Sequence, residues 1–110
     1  METRARVINT VHVVDLQGRL DAHQGKQVDQ KLAEVMHSTN QTVVNMSKVH
    51  FIDSTGLSVL VKGVKHHREK NGDLVLCELQ QPVRIIFELT RLERVFQIYA
   101  TENEAVQAFQ

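Results

Sequence analysis

The stretch Val49-His50-Phe51-Ile52-Asp53-Ser54-Thr55-Gly56-Leu57 changes character at its middle. Val49, Phe51 and Ile52 suit a pleated strand. Asp53-Ser54-Thr55-Gly56 is a helix-start signal, because Asp and Ser oxygens accept from the orphan amides of a first helical turn. Leu57, Leu60, Val61 and Val64 then recur at helical spacing. Lys65, His66, His67, Arg68 and Lys70 crowd the last turns, where the dipole favours positive charge. Asn71-Gly72 tolerates a left-handed backbone and stops the helix. The spacing therefore predicts a strand that feeds directly into a helix from about Ser54 to Asn71, the repeating unit of an α/β sheet.

Working outward, the same alternation recurs. Towards the N-terminus, Val7-Ile8 and then Val11, Val13, Val14 and Leu16 read as two short strands about an Asn9-Thr10 turn, the second closed by Gly18. Val28, Leu32, Val35 and Met36 share one face of a helix from about His23 to His37. Thr42 to Met46 is a further strand. Towards the C-terminus, Leu74, Val75, Leu76, Cys77 and Leu79 form an apolar run typical of a strand buried on both faces. Pro82 suits the first turn of a third helix, with Val83, Ile86 and Phe87 on one face and Ile85, Leu89 and Leu92 on another. That second face either meets a partner or packs between the sheet and the last helix. Phe96 to Tyr99 is a short strand, and Thr101 with Glu104 forms a capping box for a final helix. The expectation is one domain over residues 1–110, α/β, with a mostly parallel sheet of about five strands and about four helices.

Composition excludes several function classes. The 110 residues suit one domain. Apolar residues at 42% and charged residues at 24% fit a folded globular chain. The 13 basic and 13 acidic residues cancel, so no general nucleic-acid binder is expected. One cysteine rules out an internal disulfide and a Cys₂ zinc site. No apolar stretch is long enough for a membrane span. The polar N-terminus lacks the apolar core of a secretory signal, which makes the cytoplasm the default expectation.

No phosphate-cradling glycine loop and no Gly-x-Ser-x-Gly elbow occurs. His66 and His67 point about 100° apart on a helix and read as a basic, solvated helix end rather than metal ligands. Cys77 reads as a small core residue. No metal, cofactor or catalytic residue is expected. Ser54 is the one group with suggestive placement: a hydroxyl at a helix start, where amide donors and the dipole would stabilise an attached phosphate. Local chemistry alone makes Ser54 a helix cap and Gly56 a turn residue, with Asp53 in a capping or hydrogen-bonding role. Gly56 would also let another molecule approach closely.

Phe51-Ile52-Asp53-Ser54-Thr55-Gly56-Leu57-Ser58-Val59-Leu60 resembles the central motif of the STAS domain, and more narrowly that of the small bacterial anti-sigma factor antagonists. Three other segments resemble family segments in order and spacing. These are Gly18-Arg19-Leu20-Asp21-Ala22, Val43-Val44-Asn45-Met46-Ser47, and Asn71-Gly72 followed by Leu74-Val75-Leu76. Two positions depart from the family pattern: Arg19 stands where an acidic residue is common, and Asn45 where aspartate is usual.

The resemblance implies a phosphorylation-controlled partner switch. Ser54 is the implied phosphorylation site, with Thr55 as a secondary candidate. The implied partners are an anti-sigma factor that is itself a serine kinase, and a PP2C-like phosphatase. The unphosphorylated form binds the kinase and frees a sigma factor; phosphorylation releases it. ATP and magnesium belong to the kinase. Asp21, Asp53, Ser54, Thr55, Gly56 and Leu57 are the implied partner-binding residues. Arg19 and Asn45 would retune recognition. The chain is expected to be a monomer or weak dimer. The alternative is a STAS scaffold subunit of a lipid-transport or sensory assembly, never phosphorylated. A hydrolase using Ser54 is disfavoured, since no histidine is placed as its base.

Overall fold

Alternating apolar residues of four long strand segments build a five-stranded sheet in the computed structural model, which describes residues 1–110. The elements run β1 (Glu2–Ile8), β2 (Val11–Leu20), α1 (Gly25–Met36), β3 (Gln41–Ile52), α2 (Ser54–Glu69), β4 (Asp73–Cys77), α3 (Gln81–Leu89), β5 (Ile98–Tyr99) and α4 (Glu102–Gln107). The spatial order is β1-β2-β3-β4-β5, so β1 and the two-residue β5 are the edges. Only β1 and β2 pair antiparallel, joined by the Asn9-Thr10 hairpin with Asn9 at φ 59°. The other three pairings are parallel, so the sheet is mixed and mostly parallel, as the alternation predicts.

Gly18 does not close β2. The strand runs on to Leu20, and Gly18 sits at φ 112° beside a register shift against β3. A glycine tolerates that backbone where a side chain would be strained, so the strand bulges and continues. The consequence is an overhang. β4 stops at Cys77, opposite Asn45, while β3 continues to Ile52, opposite Leu20. The β3–α2 junction is therefore carried by two strands projecting beyond the rest of the sheet.

Two cores sit on the two faces. Val14, Leu16, Val44, Met46, Leu74 and Leu76 point to the side covered by α1, α2 and α3, where they meet Leu32, Leu60 and Phe87. Phe96 is not in a strand; it packs edge-on against Phe87, with ring centroids 5.3 Å apart. On the opposite face Val11, Val13, Val43, Val75 and Cys77 pack under Ala105 and Val106 of α4. β4 is thus buried on both faces, as its apolar run predicts. Because α4 lies across the sheet from α3, it cannot cover the outer side of α3. Ile85 and Leu89 remain 40% and 74% exposed. Of the two readings of that face, packing between the sheet and the last helix is therefore overturned.

Caps follow the sequence signals closely. Pro82 lies in the first turn of α3. Thr101 Oγ1 accepts from the Glu104 amide at 3.1 Å, and its hydroxyl donates to the Glu104 carboxylate at 3.1 Å. A short 3₁₀ turn over Leu92–Arg94, entered through Arg91 at φ 64°, has no counterpart in the sequence reading.

Candidate functional site: the junction of β3 and α2

The parallel pairing of β2 with β3 brings both strand ends to one rim, and the backbone locks them there. The Asp53 amide donates to the Leu20 carbonyl at 3.2 Å, and the Ala22 amide donates to Asp53 Oδ2 at 3.1 Å. Asp21 and Asp53 therefore stand side by side, as expected if the strand-2 loop lies at the same end as the motif.

Asp53, rather than Ser54, caps α2. It has extended backbone, and its Oδ1 accepts from the Gly56 amide at 3.0 Å. Ser54 becomes the first residue inside the helix. The cap belongs one residue earlier because an N-cap must be non-helical while reaching the amides two and three residues on. Relieved of capping, the Ser54 side chain is exposed, and no hydrogen bond within the protein holds its hydroxyl. The first intrahelical bond runs from the Leu57 amide to the Asp53 carbonyl at 2.9 Å. The Ser54 and Thr55 amides precede it and lie at the positive end of the helix dipole.

Gly56 is not an approach point for another molecule. A Cβ there would lie 2.4 Å from the Leu20 carbonyl oxygen and 2.8 Å from Leu20 Cγ. The missing side chain lets α2 sit down on the end of β2. Leu57 is likewise buried in the helix-side core. Both residues shape the junction from beneath, and only Ser54 and Thr55 of the four face solvent. The Thr55 methyl lies 3.0 Å from where a Cβ of Gly25 would be, so it packs on the start of α1.

Asp21 organises the entry to α1. Its Oδ1 accepts from the His23 and Gln24 amides at 3.1 and 3.2 Å, and its Oδ2 from Arg19 Nε at 3.4 Å. Burial pushes its carboxyl up, but the Arg19 guanidinium and these two amides outweigh burial and hold it below the usual carboxylate range. Arg19 itself lies over the Phe51 ring, 3.9 Å from the centroid, in the register position that pairs the two residues.

Asn45 lies away from this rim, on the α4 side of the sheet. Its Nδ2 donates to Glu102 Oε1 at 2.9 Å, and its Oδ1 accepts from the Ser47 amide at 2.9 Å. An aspartate here would set a second carboxylate against Glu102, so the amide fits the final helix rather than a partner. Arg6 completes that cluster, gripping Asp15 at 2.6 and 2.9 Å and also bonding Glu102. Hydrogen bonding from Arg6 holds the Glu102 carboxyl down, against burial. Beside the cluster lies a polar groove of about 530 Å³ flanked by Arg4, Gln17 and Lys48. The sequence reading missed this cluster. Arg6 and Glu102 are 96 residues apart, and no local pattern joins them.

His66 and His67 do not form a solvated helix end. His67 is fully buried. Its Nδ1 donates to the Gly63 carbonyl at 2.6 Å, which leaves Nε2 to accept from the Thr42 hydroxyl at 2.7 Å. Burial pushes the Cys77 thiol up to about 12, consistent with an inert core residue.

A single mixed sheet, a helix starting at an exposed serine and a glycine seated beneath it define the class. The STAS domain family model matches residues 2–105, and the chain belongs to that family. BtrV of Bordetella bronchiseptica is 30% identical over 103 residues, covering 93% of this chain and 89% of that one. An anti-sigma F factor antagonist of Paenibacillus polymyxa is 28% identical over 98 residues, covering 87% and 84%. Two solved structures of the antagonist SpoIIAA share the fold. The unphosphorylated form has a TM-score of 0.84 at 22% identity, covering 98% of this chain and 96% of that one. The phosphorylated form, from Bacillus, has a TM-score of 0.76 at 20% identity, covering 99% and 100%.

Proposed function

We propose that this chain is an anti-sigma factor antagonist switched at Ser54. The unphosphorylated form binds an anti-sigma factor that is also a serine kinase and so frees a sigma factor. Transfer of the ATP γ-phosphate to Ser54 Oγ ends that binding, and a PP2C-like phosphatase restores it. The chain itself catalyses nothing in this scheme; ATP and magnesium are the kinase's. It works as a monomer or weak dimer in the cytoplasm, where ATP is available. Thr55 is the secondary acceptor. The observation that carries the reading is the exposed, unbonded Ser54 hydroxyl at the start of a helix whose cap is supplied by its neighbour. The names of related chains point the same way.

Phosphorylation adds roughly −1.5 to −2 charges at pH 7. The helix start tolerates that charge through its free amides and dipole, so the antagonist keeps its fold. A partner docked over Ser54 meets a new bulky anion at the contact. A loss of about 3 kcal/mol weakens binding roughly 150-fold, enough to reverse an interaction without refolding.

The test is incubation with the cognate kinase and ATP, read by intact mass and site mapping. Wild type gains one phosphate at Ser54, and Ser54→Ala gains none. Ser54→Asp binds the kinase on the order of 100-fold more weakly. A wild-type chain that gains no phosphate from a competent kinase leaves the scaffold reading instead.

A further inference from the structure

We propose that Arg19 is the anchor by which this chain reads its partner, and that the partner presents a carboxylate opposite it. This rests on the switch reading and specifies the chemistry of the partner's surface. Arg19 is a half-exposed cation on this rim. The two acids of the junction are spent internally. Asp53 accepts from the Gly56 and Ala22 amides, and Asp21 from the His23 and Gln24 amides and from Arg19. Neither leaves an oxygen free of internal partners. The basic side chains do the opposite. Lys26 is exposed and engages no carboxylate, and the Arg19 side chain is 54% exposed. Only Nε of Arg19 is engaged, which leaves both terminal nitrogens for an incoming acceptor. The two junction acids are thus occupied while the Arg19 guanidinium is open, and a surface complementary to that guanidinium supplies an acceptor.

Arg19 differs from its neighbours in being held. Stacking on Phe51 and the bond to Asp21 fix the fork in place, so little side-chain freedom is lost on docking. A fixed, half-exposed guanidinium is suited to bidentate capture of a carboxylate. Its backbone also lies within reach of an interface that covers Ser54. Phe51 neighbours Arg19 across the sheet and precedes Ser54 by three residues. At about 4.8 Å between strands and about 3.3 Å per residue, the two backbones lie roughly 15 Å apart at most. A standard interface of about 800 Å² per partner spans that distance. The same geometry sharpens the switch, because a partner acid attracted by Arg19 is repelled by a phosphate on Ser54.

The experiment measures association and dissociation rates with the cognate kinase at low and physiological salt. The variants are Arg19→Gln and Arg19→Glu, with Ser54→Asp in parallel. The expected result is association slowed several-fold in Arg19→Gln and about tenfold or more in Arg19→Glu, with a weaker salt dependence than wild type. Thermal midpoints check folding, and if Arg19→Glu disturbs the Asp21 turn, Arg19→Gln carries the test. Wild type binding normally, with Arg19→Gln and Arg19→Glu binding as fast and as tightly, overturns the Arg19 assignment while leaving the switch intact. Faster association in Arg19→Glu overturns it as well, by showing a basic partner surface. A kinase that does not bind wild type at all overturns the switch reading, and the Arg19 assignment with it.

Discussion

At the residue scale, the junction depends on two neighbours of Ser54 that hold the fold together from within. Asp53 joins the helix start to the loop after β2, and Gly56 lets the two come together. Asp53→Ala removes the cap and frees the Ala22 amide, at a cost of about 1–2 kcal/mol, read as a lower urea midpoint. Gly56→Ala is more damaging, because its Cβ meets a backbone oxygen at 2.4 Å that cannot rotate away. It is expected to cost more than the cap, or to prevent folding, in the same denaturation series. Sequence reading found the right residues here but left the cap open between Ser54 and Asp53. A serine and an aspartate are equally good caps, and only the backbone angles decide between them. Gly56 reads as a turn glycine for the same reason: the carbonyl it accommodates belongs to Leu20, 36 positions earlier.

At the element scale, the period of the apolar residues placed the four α-helices and the five strands, because packing and hydrogen bonding both follow that period; it missed the 3₁₀ turn over Leu92–Arg94 and most of the length of β1. Its failures have physical causes. Gly18 marks a bulge rather than an end, and a glycine signals either. The basic tail of α2 looks solvated, yet His67 falls on the buried side of the helix, with Leu60 and Val64. Its neutrality has a cost that depends on pH. Burial holds His67 below the ordinary histidine value, against the pull of the Gly63 carbonyl and Asp73. The unfolded chain therefore binds a proton that the folded chain does not, and stability rises with pH across that window. Stability is fully present above the usual value of about 6.5 and falls as pH drops through the lower folded value. Glu102, also held down, loses its contribution only at more acidic pH, below the ordinary value of 4.5. Urea midpoints from about pH 7.5 to about pH 5 are expected to decline in wild type, and to decline less in His67→Gln.

At the scale of the whole molecule, the two sheet faces are held by different means. Three helices cover one face through a large apolar core. The other has a six-residue helix, too short to be stable by itself, fixed by Ala105, Val106 and the charge cluster of Arg6. Arg6→Ala leaves Asp15 and Glu102 without their shared cation. A loss of about 1–2 kcal/mol is expected, discounted for the partial exposure of all three groups, with α4 amides exchanging faster with solvent. Adding salt lessens the difference from wild type. The mixed sheet has one further consequence. Reversing direction after β1 leaves the outer margin of that strand with an unsatisfied row of backbone groups seven residues long. Such a margin is a template on which a foreign chain can crystallise into a growing ribbon. Glu2, Arg4 and Arg6 alternate along it, and these ionic side chains, besides whatever they bind, act as a guard against fibre formation.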